Sequence, residues 1–294
     1  DSVSVTSFAE ISGVKANNTN TNYEGKMVFK TRVNGGNQVE RMVLDVNSRI
    51  SLSNNDSGGT GGQNSTSSNT IIGYKAGNAV ASGTVNNTFI GHNAGLSVND
   101  GVANVVVGTN SADALTTGDH NVALGYFALS ASTDVDSAIA IGSGAMESGN
   151  VTSDADGSIA IGRNSLLALT SGQRNTAVGF ESLKSNTIGD KNTAVGYQAL
   201  ESFVADTDAH GHNTAVGHNA MQGNVTGTDN TAIGNQSAFS GTNNMTAGDN
   251  NTFVGRYSGA AVTTGFDNVC IGYNSGLIAD TNQDSVYIGK SSTG

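Results

Sequence analysis

The sequence predicts an all-β chain built chiefly as a parallel β-solenoid of about thirteen coils. Three observations carry that prediction. A nine-residue wording recurs, as NTAVGFESL at 175–183, NTAVGYQAL at 192–200 and NTAVGHNAM at 213–221. The glycine that closes each such run falls at Gly73, Gly91, Gly108, Gly125, Gly142, Gly162, Gly179, Gly196, Gly217, Gly234, Gly255, Gly272 and Gly289, and eight of the twelve spacings are 17, with none shorter. The 40 Gly, the absence of Pro and Trp and the abundance of Asn and Thr suit short strands joined by tight turns. A unit of that length and composition is a coil of a solenoid, not a helical repeat.

Three regions follow one another. Residues 1–22 are polar and carry no clear pattern. Residues 23–52 predict a small antiparallel meander, because Met27 and Phe29 alternate with Lys26, Val28 and Lys30, and Met42, Leu44 and Val46 alternate with Arg41, Val43 and Asp45. The NGGN at 34–37 between those runs is a hairpin signal. We place an N-terminal β module at 1–53, a Gly/Ser/Asn-rich linker at 54–68 and the repeat domain at 69–294.

Positions within a coil are numbered from its anchor glycine. Position −1 is Ile, Val or Leu in all thirteen coils, and −3 is Thr, Val or Ile in all thirteen. Alternate strand residues share a face, so −3 and −1 are expected to form the buried one. Position −4 is Asn in ten coils, which suits a hydrogen-bonded ladder up the stack. Position +3 is Ala or Ser throughout, which predicts a close approach there. Positions −2 and +4 trade size. Phe89, Val106, Phe253 and Cys270 accompany Gly95, Ala112, Gly259 and Gly276, whereas Ala177, Ala194 and Ala215 accompany Leu183, Leu200 and Met221. Close-packed interiors make such reciprocity a sign of one shared space. Because −2 faces away from the expected −3/−1 core, that space is expected to be an oligomer axis. The interface candidates are Ile71, Phe89, Val106, Ala177, Ala194, Ala215, Phe253, Cys270 and Tyr287, and a thin coil needing burial on two faces predicts a homotrimer. Twelve steps of about 4.8 Å make a rod of roughly 60 Å.

A net charge of −11 argues against nucleic-acid binding. No apolar run is long enough to insert in a membrane. Asp1 in place of Met leads us to expect a piece of a longer protein. One cysteine, Cys270, allows no intrachain disulfide. In a trimer, His210 and His212 of the inserted ADTDAHGHN would offer six imidazoles to one iron-like ion, although an inserted loop is more simply solvated. Asp154 and Asp156 before Gly157 form only a fragment of a calcium loop. The ring-bearing +1 position (Tyr74, His92, Tyr126, Phe180, Tyr197, His218, Tyr273) is more simply a structural stripe than a sugar platform. No cofactor and no nucleophile–base constellation is expected, and the carboxylates nominate no pair for glycoside hydrolysis.

NTAVGYQAL, NTAIGNQSA at 230–238 and SIAIGRNSL at 158–166 resemble the head repeats of trimeric autotransporter adhesins. The resemblance covers about residues 69–290 and implies a trimeric left-handed parallel β-roll. The 17-residue NTAVGY wording is more similar to the version in phage tail fibres. GKMVFKTRVNGGNQVERMVLDVNSRISL is similar to the "ERM…D" β module that often precedes an endosialidase-type chaperone in such fibres. These 294 residues contain neither that chaperone nor the adhesins' stalk and anchor, which ranks the fibre above the adhesin.

The expected function is therefore structural and non-enzymatic. The chain would be a homotrimeric phage fibre in the virion, joined to other tail or fibre proteins and presenting surfaces to a host glycan or protein receptor. The insertions near 147–157, 202–211 and 239–249 are the expected contact sites. The alternatives are a bacterial surface adhesin or extracellular fibre, then a polysaccharide-degrading tailspike. An ice-binding solenoid is the last, weakened because six of the thirteen −3 residues are Val or Ile on a face expected to be buried.

Overall fold

A computed structural model describes residues 9–15, 25–32, 38–44, 50–52, 68–81, 83–148, 151–205, 211–239, 247–276 and 283–290. Strands β1 (Ala9–Lys15), β2 (Gly25–Arg32), β3 (Gln38–Leu44) and β4 (Ile50–Leu52) pair antiparallel in chain order, with a register shift in the β2–β3 pair between Phe29 and Lys30. Strand β1 falls in the stretch that carried no sequence pattern. The NGGN turn and most of the linker lie outside the described residues.

From Thr70 onward the chain is a parallel β-solenoid. Thirteen three-residue strands, β5 (Thr70–Ile72) to β17 (Val286–Ile288), form one sheet in chain order, each beside the strand one coil on. The register repeats without slippage. Thr193, Ala194 and Val195 lie against Thr214, Ala215 and Val216 although 21 residues separate them. Equivalent positions therefore stack in columns, and insertions leave the columns intact.

A closed coil needs bends. Among the described residues each coil takes left-handed backbone at −5, +2 and +4, as at Arg174 (φ 54), Glu181 (φ 55) and Leu183 (φ 48) around Gly179. Such a conformation costs an L-residue roughly 1–2 kcal/mol, and inter-coil hydrogen bonds hold it. Glu181 N–H donates to the Arg163 carbonyl at 2.9 Å, and Leu183 N–H to the Ala199 carbonyl at 3.0 Å. The anchor glycine is required on two counts. Its φ is +139 at Gly179, and a Cβ there would strike the stacked Gly196 carbonyl of the next coil.

The interior is lined from −4 and −2, which corrects the expected facing. In a single chain Phe89, Val106, Ala123, Ala140, Ala160, Ala177, Ala194, Ala215, Ala232, Phe253 and Cys270 are wholly buried, while the −3 and −1 columns point outward. The physical reason is local pairing. Asn at −4 forms its inter-coil hydrogen bonds on the inner side, and strand alternation turns −2 inward with it. There −2 meets +4, so −2 is Ala wherever +4 supplies Leu or Met. The shared space is real and lies inside the coil. A Cβ on Gly95 would come within 2.7 Å of the Phe89 ring, one on Gly77 within 2.8 Å of it, and one on Gly259 would collide with Phe253. Leu129, Met146, Leu166, Leu183, Leu200 and Met221 fill the same space from +4 in the middle coils.

The Asn ladder forms on that inner side. Asn104 Oδ1 accepts the Asn121 N–H at 2.9 Å, and Asn104 Nδ2 donates to the Gly118 carbonyl at 2.8 Å. At the break in the ladder, Ser158 Oγ accepts the Asn175 N–H and donates to the Gly172 carbonyl, both at 3.2 Å. The small +3 residues answer the expectation of close approach. Ser111 Oγ donates to the Ala123 carbonyl of the next coil at 3.0 Å, and Ser275 Oγ to the Tyr287 carbonyl at 2.8 Å.

Two predictions follow from the ladder and the shared space. Asn104→Ala leaves the Asn121 N–H and the Gly118 carbonyl buried without those partners, so chemical denaturation should register a loss of roughly 2–4 kcal/mol. Phe253→Ala should cost about 3–5 kcal/mol and Gly259→Leu about 1–3 kcal/mol or more. The double variant copies the middle coils, so a double-mutant cycle should return a favourable coupling. Additive losses would show that −2 and +4 do not share a space.

Candidate interaction face

Outward residues follow the alternation of the strand. Positions −3 and −1 form two central columns, bordered by −5 where the chain turns into the strand and by +1 just past the anchor glycine. Across thirteen coils the two central columns hold nineteen aliphatic residues and seven threonines, without one charge. Their exposure is substantial, with Ile72 at 47%, Ile233 at 42% and Ile288 at 75%. With its −5 and +1 borders the face measures roughly 60 Å by 20 Å from coil and residue spacings, and the two uncharged columns take about the middle third of that width. An apolar strip of about 400 Å² is of the size of the largest patch on a typical soluble monomer, about 300–600 Å², which is often functional.

The threonines are not spread evenly. Coils 3 to 6 are aliphatic at both positions (Val105/Val107, Val122/Leu124, Ile139/Ile141, Ile159/Ile161), and five coils with Thr at −3, from Thr176 to Thr252, follow. Coils 1 and 2 carry Thr70 and Thr88, and coils 12 and 13 return to Val269/Ile271 and Val286/Ile288, so hydroxyl-bearing and aliphatic blocks alternate along the face.

The borders carry the polar chemistry. At +1, Tyr74 stacks on His92 (5.4 Å, 17°), Phe180 on Tyr197 (5.3 Å, 7°) and Tyr197 on His218 (5.0 Å, 11°), with Arg163 over Phe180 at 5.9 Å. These rings turn their faces to each other along the rod, which leaves mainly edges toward a ligand. Just inward, burial would raise the Glu181 carboxyl. Hydrogen bonds from Gln198 and Lys184, with the Lys184 charge, outweigh it and hold the group below the usual range.

The proposed site residues are distributed as follows. Phe89, Val106, Ala177, Ala194, Ala215, Phe253 and Cys270 lie inside their own coil, where a second copy cannot reach them, and Ile71 and Tyr287 pack against that core half-buried. The exposed columns suited to meet another molecule are the −3 and −1 residues that sequence reasoning placed inside. One signal was available. Two positions of one chain that share a space most simply meet inside that chain's coil, and Asn at −4 has the same parity as −2.

His210 lies outside the described residues, as do 149–150, 206–210 and 240–246 of the three insertions. His212 is on the −5 border, its Nδ1 3.5 Å from Asp229 Oδ1 and its Nε2 3.5 Å from Lys191 Nζ, so a cation already stands beside it. Asp156 Oδ1 accepts the Asp136 N–H at 2.8 Å, continuing a carboxylate column from Asp119. Among the described residues no group of three or more His, Cys, Asp or Glu is gathered as for a metal, and no helix is long and apolar enough to cross a membrane. No protein-family model, curated protein or solved structure matches the chain.

Burial raises the Cys270 thiol to about 11. A thiol-specific reagent at pH 8 should therefore leave it unmodified in the native chain and modify it only in denaturant. Because the thiol faces the coil interior, dissociating any assembly should not unmask it. Reaction on dissociation would return −2 to an intermolecular axis.

Proposed function

We propose that the chain is a structural, non-enzymatic fibre protein of a tailed phage, working as a homotrimeric rod in the virion that holds host-receptor-binding surfaces away from the particle. The observation that supports this most is the uncharged −3/−1 face. It runs straight through thirteen coils with a fixed step, and the surface that matches its pitch and length best is the same face on another copy. Three copies turned toward one axis would bury it, and with its −5 and +1 borders the strip of roughly 1,200 Å² reaches the scale of standard interfaces, about 800 Å² per partner. Rigidity and three-fold presentation of the insertions would then give avidity for a host glycan or protein receptor. The repeat wording and the ERM-containing N-terminal segment favour the fibre over a bacterial surface adhesin, which would use the same rod with a different attachment.

A second reading draws on the same outward face. Seven of the −3 residues are Thr, five of them on consecutive coils, and an exposed Thr array at a fixed step is what ice binding would need. The aliphatic block of coils 3 to 6 interrupts the array and favours association instead. An ice recrystallisation assay separates the two.

Light scattering on the intact chain, with negative-stain imaging, tests the proposal. The expected result is three times the chain mass and a thin rod. Val195→Asp with Ile233→Asp places carboxylates at exposed strand positions and should yield a folded monomer, with unchanged far-ultraviolet circular dichroism. A wild-type monomer would overturn the trimeric fibre. Trimeric double variants would overturn the assignment of this face.

A further inference from the structure

The two borders differ in charge toward the C-terminal end. On the −5 border of coils 10 to 13 stand Asp229, Asn250, Asp267 and Asp284, all exposed. On the +1 border of the same coils stand Asn235, Arg256, Tyr273 and Lys290, again all exposed. Over these four coils one border carries three carboxylates and no cation, and the other two cations and no carboxylate. The contacts made within the chain leave that polarity in place. Asp229 Oδ1 is 3.5 Å from His212 Nδ1, and Arg256 lies over the Tyr257 ring at 4.6 Å with Nη2 3.2 Å from its hydroxyl.

We propose that these borders recognise each other between copies: the acidic border of Asp229, Asp267 and Asp284 seats against the Arg256 and Lys290 border of the next copy, closing the assembly head-to-tail around its axis. This rests on self-association through the −3/−1 face. When parallel copies turn that face to a common axis, the −5 border of each must meet the +1 border of its neighbour. An antiparallel pair would instead set −5 against −5, placing Arg174 of the central coil opposite itself. The middle coils fit the parallel arrangement, since Arg174 and Lys191 on the −5 border stand level with Phe180 and Tyr197 on the +1 border. The apolar columns supply attraction with little discrimination. The borders select a parallel, heterologous closure, as charge complementarity does at other interfaces.

Charge reversal tests this on the full chain. Asp267→Lys with Asp284→Lys turns the acidic border basic over coils 12 and 13, and Arg256→Glu with Lys290→Glu makes both borders acidic. The backbone tolerates Lys at −5, because Lys191 holds the same left-handed conformation (φ 53) as Asp267 (φ 57) and Asp284 (φ 50). Each pair of substitutions should raise the dissociation constant of the assembly roughly tenfold or more at low salt, with the loss shrinking as salt rises. The four substitutions together exchange the charges that face each other over coils 11 to 13, leaving Asp229 level with neutral Asn235, and should restore wild-type assembly. Circular dichroism identical to wild type confirms that the variants fold. If the wild-type chain assembles and either border pair assembles as well as wild type, the border assignment is overturned while the fibre reading stands. Failure of the fourfold variant to recover overturns it equally. A monomeric wild-type chain removes the premise itself.

Discussion

A peptide group inside a coil this thin finds its hydrogen-bond partner most readily in the coil above or below it. That constraint organises the rest of the molecule. The strands contribute only three residues each, so the sheet ladder satisfies a minority of the backbone. Backbone bonds between coils continue it through the bends, and inner side chains take the peptide groups these leave. Asn at −4 is suited to this because it accepts from one neighbouring coil and donates to the same or another. The column breaks at Ala138, whose side chain offers no hydrogen-bonding group, and at Ser158 and Ser285, which keep a hydroxyl there. Ser158 bonds both the Asn175 N–H and the Gly172 carbonyl. A buried amide is costly when unpaired, so the ladder enforces register as much as it stabilises. A coil shifted by one residue would lose both bonds at every level.

The same stacking explains a conformational pattern that composition hides. Residues such as Arg174, Leu183, Lys191 and Met221 hold positive φ, although none is of a type that favours it. Their columns bend because the coil must close, and inter-coil hydrogen bonds at each bend offset the strain. Leu at +4 is possible only because its side chain then points into the space that Ala at −2 leaves free. Backbone geometry and core volume are solved together, coil by coil, which lets the chain change from Phe/Gly to Ala/Leu packing without changing its outline.

Comparing the thirteen copies with one another made the period, the coil, the Asn ladder, the close approach at +3 and the competition between −2 and +4 legible in the sequence. The inner side was not. Strand alternation shows which residues share a face but leaves open which face is buried, and hydropathy pointed to −3 and −1, the more apolar pair. The parity was fixed instead by Asn at −4, whose hydrogen bonds lie on the inner side, and the interior is filled from −2, +4 and +7, as by Leu115, Leu169 and Phe203. Strand β1 was illegible for a different reason. AEISGVK lacks a sustained polar–apolar alternation, and its pairing with β2 is non-local. Of the candidate interaction face, its length and its neighbours at +1 were visible as columns, while its exposure required the fold.

The corrected facing changes what the repeat demands of its surroundings. A solenoid whose core lay at −3 and −1 would present its Asn and largely Ala columns at −4 and −2 outward. This one packs Phe, Leu, Met and Ala inside and presents nineteen aliphatic side chains on a straight strip. Insertions interrupt four of the twelve intervals, yet the strand register crosses them unchanged, so variation in length leaves the strip continuous. A chain selected only to fold would have no reason to keep one side regular and apolar while the other takes up insertions. That asymmetry is the physical content of the fibre reading: one side made constant for partners of the same pitch, the other left free to vary.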